Sequence, residues 1–175
     1  PMDALTFGLE SDQLNDGLKK IDESLAWINE NFSIIERAHT PEFIRSVCAK
    51  KKTDLARKGK KLDCRMFDYL QLLGQGNEEI TKWTRFFKED ALRERTPWIV
   101  ISSMNREYEK RLGQIEDGFA VPIKSDLRDS GNVEYDATKI VFVVHWLRGG
   151  EPVNEKRVLY VSKNKFGPAN KHVKM

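Results

Sequence analysis

The chain has 175 residues, 39% hydrophobic and 33% charged, a mixture that suits one well-buried core and contains no apolar run long enough to span a bilayer. Its 30 basic and 27 acidic residues leave a net charge of +3, which tolerates a polyanionic partner without demanding one. Cys48 and Cys64 have neither metal-ligand spacing nor the density of a disulfide framework, so both read as free thiols in a reducing interior, and no secretory signal opens the chain.

Residues 4 to 9, around Phe7, read as a short buried strand ending at Glu10. A helix follows, with Ser11 as N-cap and Leu14, Leu18, Ile21, Leu25 and Ile28 on one core-facing stripe. Phe32 to Ile35 is a second strand candidate. Thr40, Pro41 and Glu42 then give an N-cap, a first-turn proline and an acidic first turn to a helix that ends near Gly59. Its tail carries Lys50, Lys51, Lys52, Arg57, Lys58, Lys60 and Lys61, a run that reads as a solvated basic face ahead of a nucleic-acid patch.

Cys64 to Leu73 is nearly continuous in apolar residues, the signature of a central parallel strand covered on both faces. Asn77 to Arg95 is amphipathic, with Ile80, Trp83, Phe87 and Ala91 inward, and Trp98 to Ser102 is the next strand. Lys139 to Trp146 and Arg157 to Ser162 are strongly β-like. Strand and helix alternate first and strands cluster last, so the layout is α/β, a helix-flanked sheet finished by antiparallel strands.

Asp68 interrupts the apolar run, and burying an unpaired carboxylate costs several kcal/mol. A magnesium ion held directly or through water would offset that cost, as in nucleotide hydrolases; pairing with a buried arginine or capping a helix would do so equally. Glu10 also stands at the carboxyl end of a strand, where parallel sheets place their sites, and could take a proton from an attacking water. The alternative is an ordinary acid at a helix start.

At these residues the chain resembles the DnaB-type hexameric replicative helicases. FGLESDQL at 7–14 is similar to the family's catalytic-glutamate turn, FDYLQLL at 67–73 to its Walker B strand, and ISSMNREYEKR at 101–111 to its sensor strand and following helix. SDLRDSGNVEYDATKIVFV at 125–143 resembles its DNA-loop motif, and KNKFGPANKHV at 163–173 its trans-acting finger segment. The resemblance implies a RecA-like three-layer sandwich with a mostly parallel central sheet and antiparallel carboxyl-terminal strands. It also implies ATP or another NTP with magnesium, and a hexameric ring of identical subunits that translocates on single-stranded DNA and unwinds duplex.

By that likeness Glu10 is the base, Asp68 the metal ligand, and Gln71 and Ser103 line the nucleotide. Lys163 and Lys165 would reach the nucleotide of a neighbouring subunit, while Arg128, Asp129 and Gly131 would face DNA in the channel. A primase or helicase loader is a further implied partner, and the implied location is cytoplasmic, at the nucleoid or replication fork, for a protein of cellular or viral origin. Without the likeness, Lys163 and Lys165 are solvent-facing strand-end lysines, and Asp-Leu-Arg at 126–128 is a turn held by an internal ion pair.

Three features depart from the family. Lys165 stands where arginine is usual, keeping charge but losing the bidentate fork. Ser103 stands where glutamine is common, with Asn105 as an alternative group for sensing phosphate. No GxxxxGK[ST] occurs anywhere, so residues 1–175 read as one motor domain incomplete at its amino-terminal end, unable to hydrolyse ATP alone. A catalytically silent RecA-like module that binds DNA or a replisome partner is the alternative function, and a strand-exchange recombinase the last.

Overall fold

The computed structural model of the chain describes residues 11–36, 40–74, 76–128 and 130–175. The strand expected at 4–9, Glu10 and Asp129 therefore lie outside the described residues. Residues 1–40 and 41–175 form two compact units.

In the first unit, helix α1 runs from Ser11 to Asn31. Its stripe of Leu18, Ile21, Leu25 and Ile28 does not face a core as expected, for these side chains are 41 to 56% exposed. Phe32 to Ile35 is not a strand either. The Phe32 amide donates to the Ile28 carbonyl at 2.7 Å, and its ring packs edge-on against Trp27 at 5.7 Å, so the chain turns back onto the helix end and pairs with no described strand.

The second unit opens with α2, Pro41–Arg57, which stops two residues before Gly59 at φ 68°, a conformation that favours glycine. Strand β1 is Arg65–Phe67, α3 is Asn77–Glu94 and β2 is Trp98–Val100, with β1 and β2 parallel and Arg65 in register with Trp98. The expected strand over 64–73 is cut short because the backbone leaves the ladder after Phe67 and coils into a 3-10 turn, Leu70–Leu72, behind the buried Leu70. Helix α3 covers one face of the pair, with Ile80, Trp83 and Phe87 buried as expected and Phe87 in ring contact with Phe67 and Trp98. The opposite face carries Met66 and Ile99, 59% and 49% exposed, so among the described residues the pair is covered on one side, not two.

Asp90 of α3 is 1% exposed. Its Oδ2 accepts from Arg65 Nη1 and, at 3.0 Å, from Trp98 Nε1; its Oδ1 accepts from Arg93. The Arg65 guanidinium also lies 4.4 Å over the Trp98 ring and donates to the Thr96 carbonyl at 2.7 Å.

Beyond β2 come α4, Arg106–Leu112, and α5, Ser130–Asp136. Strands β3, Lys139–Arg148, β4, Glu151–Asn164, and β5, Lys171–Lys174, form an antiparallel meander. Gly149 and Gly150, at φ 58° and 78°, make the two-residue turn between β3 and β4, where positive φ at both positions matches strand twist. The alternation of β3 sends Ile140, Phe142 and Val144 inward onto Tyr108, Ala120, Leu127, Val158 and Tyr160. Among the described residues no helix is long and apolar enough to cross a membrane.

Asp90→Asn leaves the buried Arg65 without its counter-charge and Arg93 with Glu94 alone. It is expected to lower the unfolding free energy by about 3–5 kcal/mol, the usual cost of stranding a buried charge, read from urea denaturation; a loss below about 1 kcal/mol would show that the carboxylate does not hold the strands.

Candidate functional site

Parallel pairing brings the residues that follow β1 and β2 to one sheet edge. Two backbone bonds join the chain beyond the paired residues: Ile101 N–H donates to the Phe67 carbonyl at 2.9 Å, and Leu70 N–H to the Ile101 carbonyl at 2.8 Å. Asp68 is the first residue beyond β1 and is exposed, not buried as its place in an apolar run suggested. The strand simply ends before it, so no partner is needed to hold its charge in the core. The buried arginine that could have paired with it, Arg65, serves Asp90 instead.

Gln71 ties the two strand ends together. Its Nε2 donates to Ser102 Oγ at 2.9 Å, and its Oε1 accepts from the Ser103 amide at 3.2 Å. The turn that holds Gln71 is anchored from α3, where Trp83 Nε1 donates to the Leu73 carbonyl at 2.9 Å. Ser103 Oγ is buried without a hydrogen-bond partner, a donor and acceptor left over at the sheet edge.

Ser103 also joins the edge to the segment at 125–128. Its carbonyl accepts from the Arg128 amide at 3.1 Å, and Met104 bridges Leu127. Asn105 repeats the link, its amide donating to the Asp126 carbonyl at 2.7 Å and its Nδ2 to the Ser125 carbonyl at 2.5 Å. The Asn105 Oδ1 caps α4, accepting from the Glu107 and Tyr108 amides at 3.1 and 3.3 Å. Asn105 is thus engaged in local structure.

The base of the segment is rigid. Asp126 and Leu127 are buried, whereas Arg128 is exposed. Arg111 of α4 grips Asp126 with both terminal nitrogens, Nη1 at 2.9 Å from Oδ1 and Nη2 on Oδ2, and the Ile123 amide donates to the same carboxylate at 2.8 Å. That bond holds the Arg111 pKa above its ordinary value. An internal ion pair does fix this turn, but the arginine comes from α4 rather than from Arg128. Neither Ser102 nor Arg111 stood out in the sequence: a serine beside a serine, and an arginine 15 residues from its acid, give no local signal.

Beyond Arg128, α5 is tied to α3. Asp136 accepts from Thr84 Oγ1 at 2.9 Å and Lys88 at 3.1 Å, and Asn132 Nδ2 donates to Thr81 Oγ1 at 2.6 Å. Gly131 has open space where a side chain would project, so nothing inside the fold requires glycine there.

A family model for the DnaB-like helicase C-terminal domain matches residues 6–175. The chain belongs to that family. It is 30% identical over 175 residues to the replicative DNA helicase DnaB of Leifsonia xyli subsp. xyli, covering 95% of this chain and 33% of that protein. It is 36% identical over 110 residues to the DnaB of Buchnera aphidicola subsp. Baizongia pistaciae, covering 59% of this chain and 22% of that one. The chain thus spans a third or less of these relatives. Among solved structures, a DnaB-like replicative helicase studied for its interactions with primase superposes with a TM-score of 0.70 at 25% identity, over 99% of this chain and 40% of that one. A second solved structure, described as an ATPase domain, gives a TM-score of 0.69 at 25% identity, over 99% of this chain and 60% of that one. The RecA-like α/β class expected from the sequence is the fold shared with them.

Within this DnaB-like domain Lys163 and Lys165 stand at the end of β4. The Lys163 ammonium donates to the Glu134 carbonyl of α5, and burial followed by the like charge of Lys165 lowers its pKa. Lys165 is exposed, its backbone amide on the Thr138 carbonyl at 3.1 Å. No hydrogen bond or ion pair among the described residues joins either lysine to Asp68, Gln71 or Ser103. Hydrogen bonds thus link Gln71, Ser103 and Arg128 at the edge where Asp68 follows β1, and none among the described residues ties Lys163 or Lys165 to them.

Tyr108 reports on the packing beneath this edge. Burial first, then the charge of Asp126, push its pKa from 10.0 to about 12, and its hydroxyl donates to the Ala120 carbonyl at 3.2 Å. A phenol is neutral when protonated, so this raised pKa contributes stability that is complete below pH 10.0 and lost as the pH climbs to about 12. Ultraviolet titration of the four tyrosines should show one tyrosinate forming last, and Tyr108→Phe should remove that final component.

Proposed function

We propose that this chain is part of the motor of an NTP-driven replicative DNA helicase, and that the edge formed by Asp68, Gln71 and Ser103 faces the nucleotide while Arg128 faces single-stranded DNA. The observation that carries the reading is the direct bond between Ser103 and Arg128. It makes a nucleotide edge and a DNA-facing loop neighbours along one backbone path.

The residues present fit a magnesium-nucleotide. No cluster of three or more potential ligands occurs among the described residues, and magnesium bound to phosphates characteristically takes only one or two protein carboxylates and keeps several waters. Asp68, exposed at the carboxyl edge, is such a carboxylate, and the unpartnered Ser103 Oγ is a hydroxyl able to meet a phosphate oxygen. The metal, when bound, supplies charge neutralisation to the transferring phosphoryl group. Gln71 holds the Ser103 backbone in place, and Asp68 positions the ion. Glu10 would serve as the base that orients and deprotonates water.

Arg128, Asp129 and Gly131 would lie along the channel of a ring of identical subunits. Arg128 is exposed for a phosphate, and the open space at Gly131 permits close backbone approach. Lys165, exposed at the end of β4, is the better placed of the two lysines to reach a neighbour's nucleotide, since Lys163 is engaged by Glu134. A lysine there offers a point charge without arginine's fork. A primase is a natural partner on the strength of the structural relative whose interactions with primase are described. With no GxxxxGK[ST] in residues 1–175, this segment by itself should not turn over ATP.

Two substitutions in a helicase carrying this chain test the assignment by their opposite effects. Asp68→Asn should cut NTP turnover at least about 100-fold, because a metal site supplies several kcal/mol, and leave single-strand affinity within about twofold. Arg128→Ala should weaken single-strand binding at least about 10-fold at matched salt, the lower end of the effect of losing a charged hydrogen bond of about 1.5–3 kcal/mol. Full turnover in the first, or unchanged affinity in the second, contradicts the respective half of the reading.

A further inference from the structure

At the amino-terminal end of β1 and β2, opposite the Asp68 edge, α2 and α3 flank a partly open cavity of about 220 Å³. It is lined by Arg45, Lys52, Arg65 and Arg93, with Asp90 and Glu94 as its only acidic residues, and Cys48 also lines it. Four cations against two carboxylates leave two positive charges in surplus. Both carboxylates are already engaged. Asp90 receives Arg65, Arg93 and Trp98, with Arg45 Nε at 3.7 Å, while Glu94 receives Lys52 at 3.2 Å and Arg93 at 3.0 Å.

Two donors remain. Arg45 Nε and Arg65 Nε are buried and have no hydrogen-bond acceptor, and the Arg65 side chain is 4% exposed. Leaving a buried donor unmade is costly, and native proteins rarely do so without a reason. Arg65 lies against the Cys48 thiol and pulls its pKa down, but burial dominates and raises it. The Cys48 thiol also shares a side-chain hydrogen bond with Arg65, but a neutral sulfur is a weak acceptor, and the Nε donors of Arg45 and Arg65 stay unmatched.

We infer that this cavity is a binding site for a small oxyanion of the phosphate class, held by Arg45 and Arg65 with Lys52 at its rim. Such an ion accepts several hydrogen bonds at once, which suits clustered guanidinium groups. It also neutralises the surplus charge. The volume sets the size limit: it corresponds to roughly seven waters at about 30 Å³ each, and lies below the roughly 300–1,000 Å³ typical of sites for drug-sized ligands. The site is therefore one for a small ion, and it stands independently of the nucleotide edge.

Cys48 supplies the readout, with the exposed Cys64 as an internal control. In the full chain, alkylation of Cys48 by iodoacetamide is followed by peptide mass spectrometry while inorganic phosphate replaces chloride at constant ionic strength. Phosphate should slow modification of Cys48 at least fivefold with a saturable dependence and leave Cys64 unchanged. Arg45→Gln, whose fold is checked by circular dichroism, should move the half-effect at least tenfold higher; should that variant unfold, Lys52→Gln should move it at least threefold. Equal protection in chloride, a linear dependence on phosphate, or protection undiminished in the variants would overturn the site.

Discussion

One buried carboxylate sets the frame on which the rest is built. Arg65 and Trp98 are register partners across β1 and β2, and both donate to the same oxygen of Asp90. A slip of the pair by one residue would turn one of these side chains to the opposite sheet face and strand a charge in the interior. The register fixed at this end dictates what meets at the other: Phe67 opposite Val100, and beyond them Asp68 and Gln71 beside Ser102 and Ser103. The candidate site is thus positioned by a clamp at the far end of two three-residue strands.

From that edge the structure continues without a break into the loop at 125–128. Gln71 holds Ser103, Ser103 holds Arg128, and Asn105 holds both Ser125 and Asp126. The foundation of the loop is the bidentate pair of Arg111 and Asp126, with Leu127 seated in the core of the antiparallel sheet. Rigid attachment at the base and exposure at Arg128 are compatible demands. Under the proposed function, the loop has to be fixed to the edge that meets phosphate and has to present its charge to solvent.

Much of this frame was legible in the residues. The helical spacing of Ile80, Trp83 and Phe87 announces α3, and the strict alternation of Ile140, Phe142 and Val144 announces β3, because each pattern reflects one buried face. The ordered family motifs drew attention to Asp68, Gln71, Ser103 and Arg128. What escaped was governed by tertiary contacts. The apolar run at 64–73 looks like one long strand, yet the chain leaves the ladder after Phe67, which puts Asp68 on the surface. The stripe of α1 predicts a buried face, but Leu18, Ile21, Leu25 and Ile28 are exposed. Asp90 looks like one more charge on an amphipathic helix, since its partners lie 8 and 25 residues away in strands.

The sheet edge proposed to face nucleotide and the loop proposed to face DNA form one hydrogen-bonded unit through Gln71. The most direct measurement is the ratio of NTP turnover with and without single-stranded DNA, in a helicase carrying this chain, for the native sequence and for Gln71→Leu. A leucine has neither donor nor acceptor and cannot hold Ser102 and the Ser103 amide, so the ratio should fall toward one. A DNA stimulation as large in Gln71→Leu as in the native protein would contradict the account.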